Sequence, residues 1–98
     1  MMKAYRVRYT PESSRIIKKL HPTIKAAVQS AMRHLLRYPL AGKELQLDLS
    51  GFRSLRVGRY RVIYRIVEEE SCLEIHYLGP RRDVYESLRD LLSGKERK

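Results

Sequence analysis

Apolar and polar positions alternate from the start of the chain. In residues 4–9, Tyr5, Val7 and Tyr9 take one side and Arg6 and Arg8 the other, the period of a half-buried strand. Thr10-Pro11-Glu12 then offers an N-cap, a proline at the first helical position and an acid in the first turn. A helix starts there, with Ile16, Ile17 and Leu20 on one side. His21-Pro22 breaks it and opens a second helix by the same logic. Ile24, Ala27, Val28, Ala31 and Leu35 form its apolar stripe, which runs to about Arg37. Pro39 and Gly42 end this helical hairpin, and residues 38–51 read as loop with a short extended piece over residues 45–49.

From Phe52 the period becomes two. Arg53, Leu55 and Val57 alternate with Phe52, Ser54 and Arg56, and Tyr60, Val62, Tyr64 and Ile66 alternate with Arg61, Ile63, Arg65 and Val67. Gly58-Arg59 between them is the signature of a two-residue type II′ turn. Glu68-Glu69-Glu70-Ser71 is a second polar turn, followed by a third strand over residues 72–78. Val84, Leu88 and Leu91 mark a short last helix that stops near Gly94. The order predicts one α+β domain over residues 1–98: a strand, an antiparallel helical hairpin, a three-stranded antiparallel meander and a C-terminal helix. The helices are expected on one face of the sheet, and residues 95–98 read as a loose tail.

A Gly58-Arg59 turn pairs Val57 with Tyr60 and sets Arg56 directly opposite Arg61. Like charges so placed repel, so the pair either lays its heads out into water or holds an anionic guest. A two- or four-residue second turn pairs Arg65 with Glu74, Ile63 with His76 and Arg61 with Leu78. Arg56, Arg61, Arg65, Glu74 and His76 then share one face. Leu55, Val57, Val62, Tyr64, Ile66, Leu73, Ile75 and Tyr77 share the other, beneath the helices. Arg65–Glu74 reads equally as a cross-strand salt bridge. Arg81 leaves the third strand near Arg61, and Tyr85 follows one helical turn later. An arginine cluster beside a phenol is suited to gripping a phosphate, moving a proton or stacking on a base. By spacing alone Tyr85 is an ordinary half-packed helix residue.

The charge gives these arginines a context. Among 98 residues, 21 are Lys or Arg and 11 are Asp or Glu, a net charge of +10, and arginine outnumbers lysine. A small body with this field attracts polyanions, and the planar guanidinium suits phosphate. The 43% apolar content suits a folded domain rather than a disordered chain. Cys72 is the single cysteine, so no internal disulfide forms and a reducing, cytoplasmic setting is expected. No signal peptide or membrane span is expected.

Three stretches together resemble the RelE/ParE toxin superfamily. They are residues 5–12, the run Leu55-Arg56-Val57-Gly58-Arg59-Tyr60-Arg61-Val62-Ile63-Tyr64 with its flanks from 49 to 65, and Gly79-Pro80-Arg81-Arg82-Asp83-Val84-Tyr85. The resemblance implies a RelE-like fold, related to those of microbial ribonucleases, and the toxin of a type II toxin–antitoxin pair restrained by a small acidic antitoxin. It implies metal- and cofactor-free cleavage of messenger RNA in the ribosomal A site, in-line, by the 2′-hydroxyl. On that likeness Arg61 holds the phosphate, Arg81 serves the leaving 5′-oxygen, Tyr85 stacks on a base and Arg56 stabilises charge or helps activate the 2′-oxygen. The alternative on the same scaffold is a ParE-like inhibitor of DNA gyrase without nuclease chemistry.

One departure concerns the general base. Some RelE proteins carry two lysines at alternate positions where this chain has Ser54 and Arg56. Arginine is almost never deprotonated, so Arg56 is a poor base. His76, expected on the same face and titrating near neutrality, is the candidate substitute, with Glu74 behind it; an exposed sheet histidine without a role is the other reading. Arg6, Arg8, Arg53, Arg65 and Arg82 are expected to hold the RNA backbone.

Overall fold

In a computed structural model that describes residues 4–80 and 83–94, the element order follows the periodicity. Strand β1 (Arg6–Tyr9) leads into α1 (Pro11–Lys18) and α2 (Pro22–Arg37). The two-residue β2 (Lys43–Glu44) precedes β3 (Arg53–Val57), β4 (Tyr60–Val67), β5 (Cys72–Pro80) and α3 (Val84–Leu92). The five strands form one sheet in the order β1-β5-β4-β3-β2, with β1 parallel to β5 and every other pair antiparallel.

Local chemistry places each junction. Thr10 caps α1 by accepting from the Ser13 amide at 3.2 Å, and Pro11 occupies the first turn. The fully buried Ser13 donates its hydroxyl to the Ile75 carbonyl at 2.7 Å, and the Thr10 amide donates to the same oxygen at 3.1 Å. These bonds anchor the start of α1 on β5. Gly58 has φ +60° while Arg59 stays out of the left-handed region, the pattern of the expected II′ turn.

Both faces of the sheet are covered. On one, α2 presses Val28, Met32 and Leu35 onto Val62, Tyr64, Leu73, Ile75 and Leu78, and α1 adds the partly buried Ile16 and Ile17. On the other, α3 sets Val84 and Leu88 against Ile63 and Leu49. The α+β class and the element order are those expected, but the last helix lies opposite the other two. The reason is in β4, where Ile63 is as fully buried as its neighbours Val62 and Tyr64 yet points the other way and needs its own cover.

The register expected for β4 and β5 holds from Val67–Cys72 to Tyr64–Ile75 and then shifts. A bulge at His76 pairs Ile63 with Tyr77, Val62 with Leu78 and Arg61 with Gly79. Leu78 therefore enters the core under α1 and α2, and Tyr77 packs beside Ile63 instead of beneath those helices. The extended piece expected over residues 45–49 is also absent. β2 lies earlier, and the chain turns through Leu47–Leu49 so that Leu49 is buried. The expected tail, residues 95–98, lies outside the described residues.

Tyr64 fixes the long loop to the sheet. Its hydroxyl donates to the Pro39 carbonyl at 2.6 Å and accepts from the Gly42 amide at 2.9 Å. Gly42 is needed here, because a Cβ would sit 2.6 Å from the Tyr64 ring. Burial raises the Tyr64 phenol above its ordinary value, which keeps it a neutral donor. Tyr64→Phe is expected to cost about 1–3 kcal/mol of stability by leaving two backbone groups without their partner. Urea unfolding measures this, and an unchanged midpoint would show that the hydroxyl does not hold the loop.

Candidate functional site

The β3–β4 hairpin carries two arginines that no acid among the described residues neutralises. Arg56 pairs with Arg61 across it, one step from the turn. A two-residue turn makes Val57–Tyr60 the hydrogen-bonded pair. Arg56–Arg61 is then the closer, non-hydrogen-bonded kind, with Cα atoms about 4.5 Å apart. Arg56 is exposed and Arg61 half-buried. No carboxylate among the described residues pairs with either arginine. The Arg61 Nε–H is fully buried and finds no acceptor among the described residues.

Beside this pair stands Ser54, two residues before Arg56 on β3 and only 4% exposed. Its Oγ accepts from Arg61 Nη1 at 3.4 Å and lies 3.2 Å from the Tyr85 hydroxyl. Tyr85 comes from the first turn of α3, and its ring packs against the cluster of Leu49, Ile63, Val84 and Leu88. The second core thus carries the phenol to the arginine pair. The face expected to be free of helices is bounded by one.

A second polar cluster gathers on the same face, around Glu74. Its Oε2 accepts from Arg8 Nη2 at 2.8 Å and its Oε1 from Arg65 Nη2 at 2.9 Å and His76 Nε2 at 2.8 Å. Arg8 also reaches Glu70. Burial alone would raise the Glu74 carboxyl, but the bonds from Arg65, Arg8 and His76 outweigh it and hold its pKa at about 2. The same bonds from Glu70 and Glu74 raise the pKa of the Arg8 guanidinium. Among the described residues no group of three His, Cys, Asp or Glu side chains is placed to hold a metal ion.

Known proteins share this architecture. A family model for the ParE toxin of the type II toxin–antitoxin system parDE matches residues 7–85. The chain belongs to the RelE/ParE toxin family. It is 42% identical to Toxin RelG of Mycobacterium tuberculosis, covering 83% of this chain and 95% of that one. It is 36% identical to Toxin RelE of the same organism over 83% of this chain and 86% of the relative. The toxin–antitoxin complex RelBE2 of M. tuberculosis superposes with a TM-score of 0.73 at 41% identity, covering 80% of this toxin and 99% of the matched chain. The intact RelBE complex of Escherichia coli gives 0.69 at 17% identity, with 81% and 99% covered, a likeness of fold alone.

In this toxin the residues expected at the site do not all converge on one point. Arg61 and Tyr85 meet at the Ser54 hydroxyl, and Arg56 pairs opposite Arg61. Arg8 and Arg65 are instead neutralised by Glu74, and Arg53 donates to the Gly42 carbonyl at 3.0 Å and so holds the loop. Arg6 is exposed on the outer strand, level with Cys72. His76 turns its ring to Glu74 and to the edge of Phe52, with centroids 5.0 Å apart. Arg81 and Arg82 lie outside the described residues. Ser54 was visible in the sequence only as a place where a lysine is missing. Its register opposite Ile63, on the face of Arg56 and Arg61, was the available signal.

The Glu74 cluster generates a pH prediction. A carboxyl depressed from 4.5 to about 2 adds stability that is complete above its unfolded value and is lost as pH falls toward 2. Urea midpoints should therefore drop between pH 4.5 and pH 2, and Glu74→Gln should flatten that part of the profile. An identical slope in the variant would remove Glu74 from the acid response.

Proposed function

We propose that this toxin is a metal-independent endoribonuclease that cleaves messenger RNA, in the ribosomal A site, and is restrained by an acidic antitoxin. The reading is carried by Arg56 and Arg61, two guanidinium groups with no acid partner among the described residues, held opposite each other beside a buried serine and a phenol. Like charges held together are destabilising unless an anion joins them, and a phosphodiester supplies one. The identity to toxins named RelG and RelE supports nuclease chemistry, and the similarity to toxins solved with antitoxins supports the partner.

The chemistry is a transesterification. The 2′-oxygen of the RNA bonds to phosphorus as a base takes its proton, the bond to the 5′-oxygen breaks, and that oxygen takes up a proton from solvent. The products are a 2′,3′-cyclic phosphate and a 5′-hydroxyl end. Negative charge grows on the phosphoryl oxygens in the transition state, where Arg61 and Arg56 offset it. Arg81 is assigned to the leaving oxygen. His76 remains the candidate base: with Nε2–H given to Glu74, its Nδ1 carries the lone pair when the ring is neutral. Arg8 and Arg65, bound to Glu74, act as supports of that dyad more than as RNA contacts.

Primer extension on a translated message tests this directly. Wild-type toxin should cut within codons, and Arg61→Ala should lower the cleavage rate on the order of 100-fold. Arg81→Ala should lose most cleavage with its melting temperature unchanged. RNA binding should weaken steeply with added salt. The matching family is described by a ParE toxin, which favours gyrase inhibition as the second reading. Intact messages with accumulating double-strand DNA breaks would establish that reading and remove the first.

A further inference from the structure

We infer that Ser54 is a positioning residue whose hydroxyl locks Arg61 and Tyr85 into one donor unit facing an anionic oxygen. The inference rests on the phosphodiester reading and deepens it. A guanidinium has only donors, so Ser54 Oγ must accept from Arg61 Nη1 across their 3.4 Å contact. The two hydroxyls of Ser54 and Tyr85, 3.2 Å apart, share one proton whichever oxygen donates. One hydroxyl proton is left over, with no acceptor among the described residues. The buried Arg61 Nε–H has none either. The leftover hydroxyl donor therefore lies beside a fixed positive charge, and a non-bridging phosphoryl oxygen can fill it, while the buried Nε–H marks how closely the Arg61 side chain is enclosed.

The orientation of the shared bond follows from burial. Ser54 is nearly inaccessible and Tyr85 half-exposed, so a leftover proton costs less on the phenol. Ser54 then donates to Tyr85, and the phenolic proton points outward to the ligand. Tyr85 thereby becomes a hydrogen-bond donor at the phosphate, in addition to any stacking by its ring. Ser54 suits the post because it is short and sits in the sheet, paired with Lys43 on one side and Ile63 on the other. Arg61 brings a long side chain and Tyr85 a separate helix, so each needs a fixed point that the sheet provides.

Single-turnover cleavage by the full-length toxin tests the arrangement, with melting temperatures as the check on folding. Ser54→Ala should lower kcat on the order of 10- to 100-fold with KM little changed, and Ser54→Thr, which keeps the hydroxyl, should restore most of it. Arg61→Lys and Tyr85→Phe should be non-additive in the wild-type background and additive in Ser54→Ala. Wild-type kcat in Ser54→Ala, equal loss in Ser54→Thr, or coupling that survives Ser54→Ala would each overturn the proposal. Should the wild-type toxin cleave no message, the nuclease reading fails by itself, and NMR of the arginine side chains still decides on Ser54. Slow solvent exchange of the Arg61 Nε–H that becomes fast only in Ser54→Ala supports the lock, and unchanged exchange refutes it.

Discussion

Two guanidinium groups stand opposite each other one step from a two-residue turn, and the rest of the sheet supplies what keeps them there. Gly58 sets the pairing, since only one register is compatible with its left-handed φ and a two-residue loop. On the reverse face of the same strands, Leu55 and Val62 pack into the core beneath α2. A slip of one residue would expose those apolar side chains and bury the arginines. The repulsion is thus maintained by hydrophobic burial on the other side of the hairpin, and it stays available to an anionic ligand.

The charges of this face are sorted by neighbours rather than by type. Arg8 and Arg65 find Glu74, which is deprotonated through the ordinary range of pH and shielded at 14% side-chain exposure. Arg53 is occupied by backbone carbonyls of the long loop. Among the described residues, Arg56 and Arg61 are left with no acid. A high net charge alone attracts polyanions without choosing where they bind. On this face of the sheet, neutralising some arginines and leaving others unpaired narrows the proposed RNA surface to the hairpin and α3.

Covering the sheet on both sides serves that surface. Ile63 recruits α3, and the second core brings Tyr85 within reach of Ser54. The bulge at His76 contributes from the other side, because it turns Tyr77 onto Ile63 and leaves the imidazole on the Glu74 carboxylate. Bulges commonly re-aim a side chain in this way where a sheet carries function. Packing and site are therefore the same set of contacts seen from two sides.

Much of this was legible in the chain itself. Hydrophobic period, the Thr10-Pro11 cap, the His21-Pro22 break and the Gly58 turn determined the elements, their order and the Arg56–Arg61 pairing, because each acts over a few neighbouring residues. Three features were decided only in the folded molecule: the bulge at His76, the side of the sheet taken by α3, and the meeting of Ser54 with Tyr85. A bulge inserts one residue with no local mark, and alternation continues unchanged in the sequence on either side of it. The Ser54–Tyr85 bond joins positions 31 apart through a helix whose direction depends on how Ile63 is covered. Local steric preferences determine short-range geometry, whereas the competition among faces to be buried is settled only when all elements pack at once.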